Sequence, residues 1–252
     1  MIGQAKKKLI SSLSQKKYRD KHGLFVAEGP KLLHDLLEAG IQAEMILTTE
    51  NVPLPETRSS AVTEIVTAQE LKKISFLKTP QNTLAVFRMP SVKFHPEQLN
   101  NQLSLALDGI QDPGNMGTII RMADWFGIST IVCSKDTVDC YNPKVVQASM
   151  GALARVRVIY TDLPAFCQQV SSNSDLKTFG TFMDGENIYA LDLPSSGIIV
   201  MGNEGSGIRP ETAKYVTRKI AVPSFSKGGM ESLNVGIAAA IVCSEFRRTT
   251  LL

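Results

Sequence analysis

Short, wholly apolar runs alternate with helical patterns in the second half of the chain, and this alternation constrains the fold more than any other feature. Strands that face solvent on one side alternate between apolar and polar residues, whereas strands of a parallel sheet are covered on both faces and are apolar throughout. The runs lie at Leu103–Leu107, Thr130–Cys133, Val156–Tyr160, Thr178–Met183, Ile198–Met201 and Lys219–Val222. The pattern therefore predicts an α/β domain built on a parallel sheet.

The first part of the chain has a different order of elements and predicts a smaller α/β domain. A strand over residues 23–29 ends in a turn, and Pro30 suits the first turn of a helix over Lys31–Ala39. The further predicted elements are strands at Glu44–Thr48, Val62–Val66 and Leu84–Arg88 and a helix at Ala68–Ile74.

A polar, proline-containing segment between these two parts is typical of a domain boundary. It contains Pro90 and Pro96. We therefore predict a small domain over residues 1–95, a linker over residues 96–102 and the parallel-sheet domain over residues 103–252.

Positive charge is concentrated at the N-terminus, although the formal net charge of the 252 residues is only +3. The basic residues up to position 21 are Lys6, Lys7, Lys8, Lys16, Lys17, Arg19 and Lys21, and Asp20 is the acid among them. A segment of this kind indicates a polyanionic partner, and it is equally compatible with a solvated, lysine-rich helix.

Several protein classes do not fit the sequence. The four cysteines form no C-x-x-C pair and the three histidines show no ligand spacing, so we expect no metal site. The longest strongly apolar stretch, Val235–Cys243, is too short to span a bilayer. The N-terminus is charged and has no apolar core of a secretory signal. We therefore expect a reduced, cytoplasmic protein that does not bind a membrane.

The first of three polar, glycine-containing segments follows the strand at Leu103–Leu107. After a tight turn, Asn115 stands where a helix N-cap is expected, before a helix over Met116–Phe126. Arg121 lies six residues later, so the two side chains point to different sides of the helix axis. This segment alone favours a capped helix whose Arg121 pairs with a surface carboxylate.

The other two segments follow the last two predicted strands. Residues 202–207 read Gly-Asn-Glu-Gly-Ser-Gly, and the carboxylate of Glu204 argues against a bare phosphate-binding loop, although a glycine turn without a ligand stays possible. In the third segment, Ser232 or Asn234 is placed to cap a helix of small apolar residues that begins at Val235. Such a helix allows another helix or another subunit to pack closely against it.

Together and in this order, the three segments resemble the SpoU (TrmH) family of RNA 2′-O-ribose methyltransferases, within the SPOUT superfamily. The family pattern N-x-x-x-x-x-R corresponds to Asn115 and Arg121, and M-G-x-E-G-x-G corresponds to Met201–Gly207. The pattern I-x-V/I-P followed by S-L-N-V corresponds to Ile220–Pro223 and Ser232–Val235. The N-terminal part is similar to the small substrate-binding domain of that family.

The resemblance implies a trefoil-knotted methyltransferase domain, a homodimer, S-adenosyl-L-methionine as methyl donor and an RNA substrate, ribosomal RNA more than transfer RNA. It implies catalytic roles for Arg121, Asn115, Glu204, Ser232 and Asn234. The implied cofactor-binding residues are Thr181, Met183, Gly202, Glu204, Gly205, Val222, Ser232 and Leu233, and the implied RNA-binding residues are Lys16, Lys17 and Arg19. Because a guanidinium keeps its proton, we expect Arg121 to bind the adjacent RNA phosphate and to stabilise developing charge, while the alternative that it also takes the proton stays open.

Three alternatives to this function stay open at the level of sequence. One is a transfer RNA substrate, and another is a relative that binds RNA and cofactor without catalysis, against which the complete set of polar motif residues argues. A nucleotide-dependent dehydrogenase would need G-x-G-x-x-G after the first strand of its domain. Here that strand is followed by Asp-Gly-Ile-Gln-Asp-Pro-Gly-Asn-Met-Gly, which does not fit.

Overall fold

The computed structural model describes residues 2–49, 61–91, 93–172, 176–226 and 232–248. The chain divides into two compact units. The first contains Met1–Ser91 and Asp139–Arg155, and the second contains Val92–Val138 and Val156–Leu252. A segment from the middle of the chain therefore groups with the N-terminal residues.

The helices and strands alternate along most of the chain. In chain order they are α1 (Gln4–Ser12), α2 (Lys16–His22), β1 (Leu24–Glu28), α3 (Pro30–Glu38), β2 (Ala43–Thr48), β3 (Val62–Ile65), α4 (Ala68–Lys72), β4 (Thr83–Arg88), β5 (Leu103–Asp108), α5 (Pro113–Trp125), β6 (Thr130–Ser134), α6 (Pro143–Ala148), β7 (Arg157–Thr161), α7 (Leu163–Ser171), β8 (Thr178–Asn187), β9 (Gly197–Gly202), α8 (Pro210–Ala213), β10 (Arg218–Ala221) and α9 (Val235–Arg248). Short 3-10 turns lie at Pro96–Leu99, Ala152–Ala154 and Ile188–Ala190.

The first unit is built on a mixed sheet with the strand order β1-β4-β2-β3. Strand β4 is antiparallel to both β1 and β2, and β3 is parallel to β2. All five residues of β1 are buried, and α1 adds Ile10 to an apolar core that the strands share with Leu71 of α4. The predicted strands and helices of this part of the chain are present, with bounds that differ by one or two residues.

Arg19 is placed differently from what the sequence predicted. Its side chain is buried, and its Nε and Nη2 donate to Asp139 Oδ2 at 2.9 and 2.6 Å. Nη1 donates to the carbonyl oxygens of Leu13 and Ser14. A guanidinium with these partners is not available to an RNA phosphate, so Arg19 fixes α2 to the 139–155 segment instead. Lys16 and Lys17, by contrast, are exposed.

The second unit is built on the predicted parallel sheet, and its strand order is β10-β8-β9-β5-β6-β7. Every neighbouring pair in this order is parallel. All residues of β5 and β6 are buried, as are all but the last residue of β9, so both faces of these strands are covered. The prediction of an α/β fold on a parallel sheet is confirmed.

Strand β8 leaves the sheet ladder for five residues. Gly180 pairs with Lys219, and the next pair along β10 joins Ile220 to Glu186. Residues 181–185 therefore bulge out between two paired stretches of the same strand. A Cβ at Gly185 would overlap the backbone of Ile220, so the return of β8 to the ladder requires glycine. The trefoil knot stays a prediction.

The residues that the structure describes lack two kinds of feature. They contain no helix with the length and apolar character needed to cross a membrane. They also contain no group of three or more His, Cys, Asp or Glu side chains arranged to hold a metal ion.

Candidate active site

The loops that follow four neighbouring strands meet at one edge of the parallel sheet. Asp108, the last residue of β5, pairs with Gly202, the last residue of β9. On the other side of β9, Val200 pairs with Gly180, immediately before the bulge of β8, and β10 lies next to β8. The carboxyl edge of a parallel sheet is where α/β proteins bind ligands, so the polar loops lie at the expected place.

The cap of helix α5 corrects one expectation. Asp112, not Asn115, is the N-cap: its carboxylate accepts a hydrogen bond from the Asn115 backbone N–H at 2.8 Å. Pro113 then occupies the first position of the helix, where its missing N–H is harmless. Asn115 consequently lies inside the first turn, and its side-chain amide is free for contacts with other segments.

Three polar side chains from the three sequence segments form a continuous hydrogen-bonded chain. Asn115 Nδ2 donates to Glu204 Oε1 at 2.6 Å, and Asn234 Nδ2 donates to Asn115 Oδ1 at 2.8 Å. Asn234 Oδ1 in turn accepts from the backbone N–H groups of Gly236 and Ile237, so it caps α9 as predicted. We call this set the Glu204–Asn115–Asn234 chain. It joins residues 89 and 119 positions apart in sequence.

The loop that carries Glu204 is closed on itself. The backbone groups of Asn203 and Gly207 bond to each other in both directions, at 3.0 and 2.9 Å. Asn203 Oδ1 also accepts from the N–H groups of Gly205 and Ser206. A Cβ at Gly202 would overlap the backbone of Gly207 and Ile208. The loop's own backbone therefore requires glycine at position 202, whether or not a ligand lies nearby.

A buried carboxylate and an arginine that the sequence analysis missed anchor the same loop. The side chain of Asp108 is fully buried, and its Oδ2 accepts from the Arg209 backbone N–H at 3.0 Å. Its Oδ1 accepts from Arg209 Nε at 2.7 Å and from Nη2 of the same guanidinium. Arg209 also pairs with Asp136, which follows β6. An acid at the end of an apolar strand was the available signal, because such a buried charge needs a partner.

Electrostatics around Arg209 reflect these contacts. The hydrogen bond to Asp108 is the main reason why the pKa of the Arg209 guanidinium is raised above its ordinary value. The pKa of the Asp136 carboxyl is lowered, first by a hydrogen bond from the Ser134 side chain and further by Arg209. Both shifts favour the charged forms of Arg209 and Asp136.

The remaining predicted residues lie at the same edge or near it, without joining the chain of hydrogen bonds. Arg121 is exposed on α5, and its guanidinium has no hydrogen bond or ion pair with any residue that the structure describes. Ser232 is exposed and likewise unbonded within the described ranges. Thr181 Oγ1 donates to the Val200 carbonyl oxygen at 3.2 Å. The apolar side chains of Met183 and Leu233 are 75% and 47% exposed.

Comparisons with known families match both parts of the chain. The model of the SpoU rRNA Methylase family matches residues 102–244, which include all three segments. The model of the MRM3-like substrate binding domain matches residues 5–85.

Two relatives named as 23S rRNA methyltransferases are similar to most of the chain. The chain is 28% identical over 237 residues to the 23S rRNA (guanosine(2553)-2′-O)-methyltransferase RlmP of Bacillus subtilis, covering 93% of each protein. It is 36% identical over 151 residues to the 23S rRNA (guanosine-2′-O-)-methyltransferase RlmB of Neisseria meningitidis, covering 60% of each.

Two solved structures are similar over nearly the whole chain. One is a putative RNA methyltransferase of the TrmH family from Porphyromonas gingivalis, with a TM-score of 0.90, 38% identity and 99% coverage of both chains. The other is an AdoMet-bound rRNA methyltransferase from Sinorhizobium meliloti, with a TM-score of 0.88 and 28% identity, covering 100% of this chain and 97% of that one. The chain belongs to the SpoU rRNA methylase family, as its three motif segments predicted.

Proposed function

We propose that this chain transfers a methyl group from S-adenosyl-L-methionine to the 2′-hydroxyl of a ribosomal RNA nucleotide. The observation that carries the proposal is the Glu204–Asn115–Asn234 chain, which joins all three motif segments at the ligand-binding edge of the sheet. Two relatives named as 23S rRNA 2′-O-methyltransferases support the substrate class. Only RNA offers a 2′-hydroxyl, so DNA is excluded as a substrate.

The residues at this edge suit S-adenosylmethionine. A glycine-rich loop allows backbone groups to approach the adenine and ribose, and the exposed apolar side chains of Met183 and Leu233 suit the faces of a planar base. The Sinorhizobium relative is described as AdoMet-bound. The proposed cofactor-binding residues are Thr181, Met183, Gly202, Glu204, Gly205, Val222, Ser232 and Leu233. When bound, the cofactor supplies the methyl group together with its sulfur leaving group.

The protein's own task is to hold the ribose hydroxyl in line for transfer. Glu204 Oε1 is occupied by Asn115, whereas Oε2 has no hydrogen-bond partner among the described residues. We assign this oxygen the role of accepting a hydrogen bond from the 2′-hydroxyl and of taking its proton when the methyl group arrives. Asn234 keeps the Asn115 amide in the orientation that donates to Glu204, and Ser232 adds a hydroxyl to the same polar surroundings.

Arg121 supplies positive charge. Its exposed guanidinium is unpaired within the described ranges, so it is free to bind the RNA phosphate next to the target ribose. In the same position it stabilises the negative charge that develops on the 2′-oxygen during transfer.

The test is tritium transfer from labelled S-adenosylmethionine to purified ribosomal and transfer RNA, with calorimetry of cofactor binding. We expect Arg121→Ala to abolish transfer while cofactor affinity is retained. Arg218→Ala is the control, because Arg218 is a partly exposed arginine of the same unit whose partner is Glu186 on the neighbouring strand β8. Labelling of transfer RNA alone would overturn the proposed substrate, and equal loss of binding and transfer would overturn the role of Arg121.

We further propose that the N-terminal domain, residues 1–95, binds RNA through Lys16 and Lys17. We also propose that the protein is a homodimer and that it is cytoplasmic. Trp125 of α5 and Ile237 of α9 are 85% and 55% exposed, and these two helices pack against each other, which supports an apolar contact between copies. The four cysteines are buried and form no disulfide with one another, in keeping with a reducing compartment. Sedimentation of wild type and Trp125→Glu tests the dimer, and a monomeric wild type would exclude it.

A further inference from the structure

The position of Glu204 depends on how its loop is attached to the sheet. The loop is a closed unit, because Asn203 and Gly207 bond to each other through their backbones. Such a unit moves as a whole. Besides its chain connections and the Glu204–Asn115 bond, two attachment points among the described residues decide where Glu204 lies. Both points are on or directly after β5, the strand that leads into α5 and thus to Asn115.

The first attachment is a single hydrogen bond. Asn203 Nδ2 donates to the Gly109 carbonyl oxygen at 2.7 Å, immediately after β5. It fixes the start of the loop, but an isolated neutral hydrogen bond contributes little and restrains only one point.

The second attachment is stronger because it combines charge with several bonds. Asp108 is fully buried, and its carboxylate accepts from both the backbone and the side chain of Arg209. A buried carboxylate requires such a counter-charge, and charge-assisted hydrogen bonds are stronger than neutral ones. The guanidinium also reaches Asp136 at 3.2 Å, so it connects the ends of β5 and β6 to the end of the loop.

We propose that Arg209 is a positioning residue for methyl transfer, which acts by locking the Glu204 loop onto Asp108. The lock keeps Glu204 Oε1 within hydrogen-bond distance of Asn115, and thereby fixes the direction of its free oxygen. This inference rests on the proposed function of the Glu204–Asn115–Asn234 chain and adds two residues, Arg209 and Asp108, that hold it in place.

The kinetic experiment compares Arg209→Gln, Arg209→Lys and the control Arg218→Gln in the full-length protein. Because small displacements of a catalytic group are costly, we expect Arg209→Gln to lower kcat roughly 10- to 100-fold with KM for RNA unchanged. Arg209→Lys, which keeps the charge, recovers part of the loss, and Arg218→Gln behaves as wild type. An unchanged kcat, or an equal change in KM, would overturn the proposal.

Repeating the Arg209→Gln substitution in a Glu204→Gln protein separates a positioning role from general destabilisation. If Arg209 acts through Glu204, Arg209→Gln causes little further loss of kcat in the Glu204→Gln protein. If the full loss recurs there, Arg209 acts through some other part of the molecule and the inference is wrong.

A measurement that does not require catalysis distinguishes failure of the proposed methyl transfer from failure of the proposed role of Arg209. Hydrogen exchange at the backbone amides of Asn203 and Gly207, which bond across the loop, is expected to accelerate in Arg209→Gln and not in Arg218→Gln. Should the wild-type protein methylate no RNA, the proposed function fails, whereas unchanged exchange in Arg209→Gln refutes the lock itself.

Discussion

Each of the two units contains an arginine–aspartate pair between residues far apart in sequence, and the two pairs differ in exposure. In the first unit, the side chains of Arg19 and Asp139 are 2% and 9% exposed. In the second, Arg209 is 38% exposed, while Asp108 is completely buried. An arginine whose guanidinium is buried among protein partners can only stabilise the fold. An arginine open on one side, next to a polar loop, can also set the geometry of a site.

We expect the largest effect on stability for the buried Arg19–Asp139 pair. Replacing Arg19 by Met leaves the Asp139 carboxylate buried without its counter-charge, and we expect a loss of about 3–5 kcal/mol in the free energy of unfolding. Urea unfolding of the variant and of Lys16→Gln, whose exposed lysine pairs with Asp20, measures the difference. A loss as small as that of the Lys16 control would show that the pair does not hold the first unit together.

We expect the partly exposed Asp108–Arg209 pair to contribute less to stability than the Arg19–Asp139 pair. In Arg209→Gln, Asp108 keeps the backbone N–H of residue 209, and the glutamine amide is itself a donor whereas methionine is not, so we expect a smaller loss of about 1–3 kcal/mol. The same unfolding experiment measures it. If Arg209→Gln destabilised the protein more than Arg19→Met, exposure would be a poor guide to the role of these pairs.

Asp136, on the exposed side of Arg209, gives a pH-dependent effect. Its pKa is lowered in the folded protein from the ordinary value of 3.8, so its contribution to stability is present above that pH and is lost as the pH falls through the lowered value. The wild type is therefore expected to lose more stability on acidification below pH 3.8 than Asp136→Asn. Because the side chain is exposed, the difference stays below about 1 kcal/mol. The free energy of unfolding of both proteins is measured as a function of pH. Coincident curves would contradict this contribution of Asp136.

Lys17 of α2 is exposed, although it lies only two positions before the buried Arg19. We expect Lys17→Gln to change the unfolding free energy by less than about 0.5 kcal/mol. It should weaken RNA binding at every sequence and lower the slope of log affinity against log salt by about 1. Lys214→Gln, an exposed lysine of the second unit, serves as control. An unchanged salt slope for Lys17→Gln would remove this lysine from the RNA-binding surface.

Strand positions were predictable because each depends on local apolar pattern. The run Thr130–Cys133, for example, became β6 at Thr130–Ser134, and burial of every residue in it explains why the run lacks polar alternation. Motif order likewise identified the family, since the three segments meet at one edge of the sheet.

What the sequence did not predict depends on partners distant in the chain. Arg19 looked like a surface charge, because its burial depends on Asp139, 120 positions away. Asn115 is the local exception: it looked like a helix cap, but Asp112, three residues earlier, is the better placed acceptor and takes that role. Asp108 at the end of an apolar strand signals that a partner is needed, but the pair with Arg209 spans 101 positions, so the sequence does not identify that partner.

The exposure of Trp125 has a practical consequence. It is the single tryptophan of the chain, so the intrinsic fluorescence of the protein comes mainly from one indole at the end of α5. An indole already surrounded by water changes little in emission when the chain unfolds, but shifts to shorter wavelength when something covers it. Emission of the unlabelled protein therefore reports association at this helix, and unfolding is better followed by circular dichroism.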